Sequence, residues 1–304
     1  MTEIPWKTYT ENQKFSCFDE STEKDWNGNF YFVQTADIQF GLIQRYLENN
    51  PQPGWAKETA LAELAVEKVN RMRPRPRFMV MCGDLCDAFP EQQPELREQQ
   101  EKEFKRIFSK LHQDIPLVCV CGNHDVGDEP TAKSVQAYRN SFGDDYFTFW
   151  CGGIFFIVIN SQFLWDSSKV QDIAQEHEEW LNCVLAEAKK NKVKRAMVFQ
   201  HIPWFLYSPD ENESNYFCLN LETRMKWMDK LREAGVQYTF CGHYHQNAGG
   251  AYKDLRVVTT SAMGGQLGKD SPGVRVVRVQ ERTVDHVYYS LENIPSVIQV
   301  DQPE

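Results

Sequence analysis

Short apolar runs recur along the chain, and longer amphipathic segments lie between them. Five of the runs are rich in Val, Phe and Met and stop abruptly at glycine or polar residues, which is typical of buried strands. They lie at residues 29–37, 77–84, 115–125, 194–201 and 236–245. The five strands supply the framework of the predicted fold.

Helical spacing of apolar residues fills the intervals between these strands. Leu61, Leu64 and Ala65 share one face of a helix predicted from about Lys57 to Met72. Further helices are predicted near residues 101–111, 177–190 and 221–235, and a hairpin turn is predicted at residues 152–153. The runs at 273–280 and 283–291 predict antiparallel strands. Alternation of strand and helix predicts one α/β domain over residues 28–290, with a polar lead-in at 1–27 and a C-terminal tail at 291–304.

Residues able to bind a metal or move a proton stand at the end of each of the five strands. In open α/β sheets, ligands bind outside the carboxyl ends of the strands, so we expect these side chains to converge. Each alone has a structural interpretation, as a turn residue, a helix cap or a core histidine. Their joint occurrence favours a metal site built from Asp37, Asp84, Asn123, His201, His243 and His245.

The chemistry of these side chains suits divalent cations. Carboxylate and amide oxygens together with imidazole nitrogens are ligands for manganese, iron(II), zinc or magnesium, and one carboxylate can bridge two ions. Two ions about 4 Å apart can stabilise both the attacking and the leaving oxygen of a phosphoryl displacement. The pattern therefore predicts hydrolysis of a phosphate ester with two divalent cations as cofactors.

The ordered series D-x-Q, G-D-x-x-D, G-N-H-D, a lone His and G-H-x-H resembles the motifs of the calcineurin-like metallophosphoesterase family. The matching residues reach from Asp37 to His245. The resemblance implies an α/β fold of the metallophosphoesterase type, a β-sandwich of two mixed sheets flanked by helices in α/β/β/α layers. It also implies a hydroxide shared by the two metal ions as the nucleophile.

The same resemblance implies a role for each motif residue. A first cation would be held by Asp37, Gln39, Asp84 and His245. A second would be held by the bridging Asp84 with Asn123, His201 and His243. His124 would be the general acid, and Asp87 would orient it and favour its protonated form. Asp125 is expected to brace the loop by hydrogen bonding.

Two departures from the family pattern bear on function. Gln39 replaces the usual His, and a neutral amide oxygen is the weaker ligand. Ala88 and Phe89 follow Asp87 where the best-known protein phosphatases of the superfamily carry Arg and Gly. Serine/threonine phosphoprotein phosphatase activity, with a phosphoprotein as substrate, is thus implied by whole-chain resemblance to vertebrate members of the family. A phosphodiesterase or nucleotide hydrolase, and a scaffold weakened in catalysis, are the alternatives.

Charge and composition limit the partners. A formal net charge of −10 argues against an extended nucleic-acid footprint, because such binding relies on Lys and Arg. The longest apolar run, Ile154 to Ile159, is too short to cross a bilayer, so no membrane span is expected. The N-terminal residues contain no apolar segment typical of a secretory signal. Nine cysteines without a regular spacing then predict a cytoplasmic protein.

Several other residues near the motifs allow two interpretations. Cys82, Cys86, Cys119, Cys121 and Cys241 could form a thiolate zinc site, but their small size and alternation favour packing in the core. An influence of their oxidation state on the metals is a weaker hypothesis. In the loop after His201, three aromatic residues either wall the site or pack internally: Trp204, Phe205 and Tyr207. Three histidines are predicted to be structural or solvated: His112, His177 and His286.

Overall fold

The computed structural model describes residues 5–211 and 216–301, so residues 1–4 of the predicted lead-in and 302–304 of the predicted tail lie outside it. Its strands are β1 (Thr10–Glu11), β2 (Lys14–Phe15), β3 (Phe30–Thr35), β4 (Met79–Cys82), β5 (Leu117–Val120), β6 (Phe147–Cys151), β7 (Ile154–Val158), β8 (Ala196–Phe199), β9 (Val236–Cys241), β10 (Ala248–Tyr252), β11 (Leu255–Thr259), β12 (Gly273–Val279) and β13 (Val284–Ser290). Its helices are α1 (Glu20–Glu23), α2 (Ala56–Arg71), α3 (Pro94–Phe108), α4 (Asn123–Val126), α5 (Ala132–Phe142), α6 (Gln162–Trp165), α7 (Gln171–Lys190) and α8 (Leu221–Glu233). A π-helical turn spans Ile43–Leu47, and a 3-10 turn spans Leu291–Asn293.

Two mixed sheets face each other. One has the strand order β1-β2-β6-β7-β8-β9-β11-β10, and the other has the order β13-β12-β3-β4-β5. Alternate residues of the inner strands face either the opposite sheet or the helices, because side chains of a strand point to its two faces in turn. On β3, Phe32 packs between the sheets while Val33 packs toward the helical layer. On β8, Phe199 packs between the sheets while Val198 packs toward the helical layer. The predicted α/β/β/α sandwich is therefore confirmed.

Stacked aromatic rings fill the space between the sheets. Phe32 and Phe78 stack with ring centroids 4.7 Å apart, and Phe156 and Phe199 stack at 5.5 Å. All four side chains are fully buried. Burial of each such ring stabilises the fold by about 1.5–3 kcal/mol, so this layer is a rigid base for the loops at its edge.

Parallel pairing places the motif-bearing loops at one edge of each sheet. Strands β3, β4 and β5 are adjacent and parallel, and so are β8 and β9. The loops after these five strands carry the predicted ligands. None of the helices in the described part of the chain is long and apolar enough to cross a membrane.

Element boundaries differ modestly from the sequence predictions. The first long helix is Ala56–Arg71, and the helix predicted near residues 177–190 begins earlier, at Gln171. The predicted hairpin is confirmed, since β6 and β7 pair antiparallel across Gly152 and Gly153. The polar lead-in contributes β1 and β2 to the larger sheet, and its Phe15 is buried there.

Candidate metal centre

Most of the predicted ligand residues have a left-handed backbone. Asp37, Gln39, Asp84, His243 and His245 have φ values of 52°, 42°, 52°, 69° and 53°. Such a conformation costs a non-glycine residue about 1–3 kcal/mol and clusters at functional sites. These residues lie in the loops after β3, β4 and β9, where the chain changes direction.

Two motif glycines are required by close approach of neighbouring groups. A Cβ on Gly83 would lie 2.2 Å from Nδ1 of His201, and one on Gly122 would lie 2.3 Å from Oδ1 of Asp84. Gly122 has an extended backbone, with φ −111° and ψ 177°. Gly122 is therefore required by the close approach of Asp84, and not by a left-handed turn.

The four ligands predicted for the second cation converge. Nε2 of His201 lies 2.9 Å from Oδ1 of Asn123, 3.1 Å from Nδ1 of His243 and 3.4 Å from Oδ1 of Asp84. Lone-pair atoms at such distances repel unless a proton or a cation lies among them. The geometry thus fits a metal ion bound by these four side chains.

The ligands predicted for the first cation form an adjoining group. Ligand atoms of Asp37, Asp84 and His245 all lie within 4.8 Å of one another, and Nε2 of His245 is 3.5 Å from Oδ1 of Asp37. Gln39 is buried beside them, and its Oε1 has no hydrogen-bond partner. A buried carbonyl oxygen without a donor is expensive, and a cation would satisfy it.

Each ligand histidine is oriented by a backbone carbonyl on its outer side. Nδ1 of His201 lies 2.8 Å from the carbonyl oxygen of Cys82, and Nδ1 of His245 lies 2.5 Å from that of Gly265. In His243 the outer nitrogen is Nε2, which lies 3.1 Å from the carbonyl oxygen of Tyr216. Because a carbonyl only accepts, the outer nitrogens carry protons. The inner nitrogens therefore face the group of candidate ligand atoms, where a cation could bind them, as in metal-binding histidines.

Burial and mutual charge shift the pKa values within the centre. Burial raises the pKa of Asp37 well above its usual value. Burial lowers the pKa of His243 to about 3, reinforced by the charge of His201, and lowers that of His245 to about 4. Burial opposes a charge on His201, but Asp84 and Asp37 outweigh it and raise its pKa to about 9. The raised pKa of His201 reflects excess negative charge of the kind that divalent cations neutralise.

A hydrogen-bonded group that sequence reasoning missed orients Asn123. Its Nδ2 donates to Oδ1 of Asp128 at 2.9 Å and to the hydroxyl of Tyr216 at 3.1 Å, and this hydroxyl donates to Asp128 at 3.0 Å. The amide oxygen of Asn123 is thereby directed to His201. Tyr216 contacts both Asn123 and His243, so it links two ligands of the second cation.

His124 is positioned mainly through backbone contacts. Its N–H donates to Oδ1 of Asp84 at 2.9 Å, and its Nδ1 donates to the carbonyl of Asp87 at 2.6 Å. The carboxylate of Asp87 is farther away, 3.7 Å from that nitrogen, and it is paired with Arg45. Phe89 stacks on the ring of His124 at 4.4 Å. The sequence did not indicate Arg45, and the contact of Asp87 with His124 runs chiefly through the main chain.

Asp125 braces the loop, as expected. Its carboxylate accepts from the N–H groups of Gly122 at 2.9 Å and Leu85 at 3.2 Å. Arg97 of α3, also missed by sequence reasoning, donates to Asp125 at 3.0 Å and to the carbonyl of His124 at 2.9 Å. This buried pair ties the loops after β4 and β5 to the helical layer.

Most of the cysteines, aromatic residues and histidines noted near the motifs are buried. Five cysteines are buried, and burial raises the pKa of each, so they pack as neutral thiols in the core: Cys82, Cys86, Cys119, Cys121 and Cys241. Trp204 and Phe205 are buried, whereas Tyr207 is exposed. His177 is buried with no hydrogen-bond partner on either nitrogen; His112 contacts Arg75, and His286 contacts Arg275.

Comparison with known proteins agrees with this geometry. Residues 30–247 match the family model of calcineurin-like phosphoesterases. The serine/threonine-protein phosphatases CPPED1 of Mus musculus and Homo sapiens are 45% and 44% identical to the chain, over 91% and 92% of its length and 89% of theirs. A crystal structure of a dimetal phosphatase from Danio rerio superimposes with a TM-score of 0.59 at 14% identity, over 87% of this chain and 100% of the other. The chain belongs to the calcineurin-like phosphoesterase family.

Proposed function

We propose that the protein is a metal-dependent phosphomonoesterase that removes phosphate from phosphoserine and phosphothreonine in proteins. The observation that carries the proposal is the convergence of three ligand atoms on Nε2 of His201, with the unpartnered oxygen of Gln39 in the adjoining group. Two divalent cations, chosen among manganese, iron, zinc and magnesium, fit these oxygen and nitrogen donors. The first would be held by Asp37, Gln39, Asp84 and His245, and the second by Asp84, Asn123, His201 and His243.

Bound cations of this kind act as Lewis acids toward a phosphoryl oxygen and lower the pKa of water. His124 adds the proton chemistry. Since Nδ1 of its ring donates to the Asp87 carbonyl, Nε2 is the nitrogen left to protonate the leaving oxygen. The ring is 12% exposed, so it reaches the cleft while Phe89 and the main chain fix its orientation. Asp87 acts as a positioning residue.

The substrate class rests on similarity over nearly the whole chain. The mouse and human relatives are named serine/threonine-protein phosphatases, and the similarity extends well beyond the motifs. Ala88 is buried and occupies the place of the motif arginine, but Arg45 brings a guanidinium to the neighbouring Asp87. Position 88 therefore supplies no cation, and the guanidinium beside it is paired with the Asp87 carboxylate.

To test the proposal, the protein is treated with a chelator and each cation is then restored separately. Turnover and metal content are measured in parallel. Phosphoserine and phosphothreonine peptides are compared with a bis-aryl phosphodiester. We expect metal-dependent hydrolysis with preference for the peptides. Preference for the diester would refute the substrate class, and loss of all turnover despite two bound cations would identify a catalytically inactive scaffold.

We also propose a cytoplasmic location. All nine cysteines are free thiols, and seven of them are buried. Cysteines remain free thiols in a reducing compartment, where disulfides are rare. Fractionation of cells that express the tagged protein tests the location, and recovery in the secreted fraction would contradict it.

A further inference from the structure

A continuous series of aromatic rings leads outward from the metal centre, and we call it the aromatic belt. It begins at the ligand His243, whose ring lies 5.7 Å from Phe217 and 5.0 Å from Tyr216. Phe217 is 5.2 Å from Tyr244, which is 6.4 Å from Tyr207. On the other branch, Tyr216 is 5.8 Å from Trp165. The belt consists of Trp165, Tyr207, Tyr216, Phe217 and Tyr244.

Two tyrosines of the aromatic belt are far more exposed than packing requires. Tyr207 is 63% exposed and Tyr216 is 46% exposed. The residues that precede Tyr207 are buried in the core, with Trp204 and Phe205 at 0%. The ring of Tyr207 therefore contributes little to the core, although it is carried by a segment that is anchored there.

The segment that carries Tyr207 is rigidly held. The carboxylate of Glu211 accepts from the backbone N–H groups of Leu206 at 2.6 Å, Tyr207 at 2.8 Å and Ser208 at 3.1 Å. The hydroxyl of Tyr207 is 3.1 Å from that of Tyr244. Because these groups are fixed in advance, a ligand that contacts the ring loses little free energy in ordering it.

We infer that the aromatic belt binds apolar side chains that flank the phosphorylated residue of a polypeptide substrate. This inference rests on the proposed function. Continuity with His243 places the belt beside any phosphate bound at the metal centre. Side chains on one face of an extended peptide repeat about every 7 Å, whereas the rings of the belt contact one another at 5.2–6.4 Å. The belt therefore offers one continuous apolar surface beside the metal centre.

Charge at the belt favours apolar over acidic substrate residues. The carboxylate of Asp128 accepts from the hydroxyl of Tyr216, whereas that of Glu211 accepts from the backbone N–H of Tyr207 and lies 3.9 Å from Arg224. An acidic side chain bound beside Tyr216 would therefore face the charge of Asp128. Tyrosine rings instead offer large apolar faces at low entropic cost, which is why they are common in binding sites for polypeptides.

The experiment compares short phosphoserine peptides in an alanine background that carry Leu, Trp or Glu at single positions up to four residues from the phosphoserine on either side. Free phosphoserine is the reference substrate. For each peptide, kcat/KM is divided by the value for free phosphoserine. We expect this ratio to be about three- to tenfold higher with Leu or Trp on one side of the phosphoserine than in the alanine peptide, and lower with Glu. Tyr207→Ala should remove the gain, Tyr207→Phe should keep most of it, and Met225→Ala, an exposed apolar residue of α8, should not change it.

The outcomes separate the inference from the proposed function. Equal kcat/KM values for the Leu, Trp and alanine peptides would overturn the inference, and so would a gain in kcat/KM that survives in Tyr207→Ala. Turnover of phosphoserine in the same assays would still support the proposed function. Absence of turnover of phosphoserine and of every peptide would overturn both. Circular dichroism and metal content of the variants show whether a lost gain arises from misfolding.

Discussion

Replacement of Gln39 by Met tests the metal centre most directly. Gln39 is 1% exposed, its Oε1 has no hydrogen-bond partner, and its Nε2 donates to Oδ1 of Asp87 at 3.3 Å. An unsatisfied buried acceptor costs about 1–3 kcal/mol. Coordination of a cation removes this cost, so deletion of the amide subtracts a similar free energy from metal binding. At about 1.4 kcal/mol per tenfold change, the first cation should bind about 5- to 150-fold more weakly.

Stability of the metal-free protein should change much less. Gln39→Met removes the unsatisfied oxygen, which stabilises the fold, and also removes the hydrogen bond to Asp87, which costs about 1.5–3 kcal/mol because the acceptor is charged. The two terms largely offset each other, so we expect a change in the free energy of unfolding below about 2 kcal/mol. A loss of metal affinity then cannot be attributed to unfolding.

Calorimetric titration of the chelator-treated protein with Mn²⁺, together with urea unfolding, measures both quantities. Gln39→His should bind the cation more tightly, because imidazole is the stronger ligand and histidine tolerates the left-handed backbone at φ 42°. Gln162→Met is the matched control, since Gln162 is also buried with an unpartnered Oε1. Equal affinity in the wild type, Gln39→Met and Gln39→His would refute a ligand role for Gln39.

Three further predictions concern the surroundings of the centre. Asp128→Ala should weaken binding of the second cation about 10- to 100-fold, since Asn123 loses its orientation; calorimetry with unchanged affinity would contradict this. Arg97→Met should lower the free energy of unfolding, measured in urea, by about 3–5 kcal/mol, because Asp125 is left as an unpaired buried charge. A change of less than about 1 kcal/mol would contradict this role of Arg97. Burial lowers the pKa of His177 to about 3, so the unfolded chain takes up a proton first as pH falls below 6.5 and the fold loses stability. His177→Phe should reduce the stability loss between pH 7.5 and pH 5 by about 2 kcal/mol, and an unchanged pH dependence of urea unfolding would rule this out.

The convergence of the candidate metal-binding residues was predictable because the sequence carries them locally. Each follows a buried strand within a few residues, and parallel pairing of the strands brings their ends together. The layer architecture followed from the same alternation of strands and helices and from the family resemblance. Helix ends were less well placed, as at Gln171, because packing against the sheet extends the helix beyond the segment of clear periodicity.

The residues that support the ligands could not be found in this way. Arg97 contacts a residue 27 positions away, Arg45 contacts Asp87 across 42 positions, and Tyr216 contacts Asn123 across 93. These contacts depend on side-chain conformations that the packed fold decides, and a lone Arg or Tyr in a polar segment has no periodic signal. Only Asp128, five residues after Asn123, lay near a recognisable motif.

Local backbone preference opposes the fold at the ligand loops, and this explains why the site depends on its core. Five ligand residues hold left-handed conformations that non-glycine residues disfavour by about 1–3 kcal/mol each. Hydrogen bonds within the loops, such as Oδ2 of Asp37 accepting from the N–H of His243 at 3.0 Å, oppose part of that cost. Burial in the core offsets the rest, and each ring of the aromatic layer between the sheets contributes about 1.5–3 kcal/mol. The aromatic sandwich therefore holds the ligands in a conformation that their own residues resist, and they need little rearrangement to bind a cation.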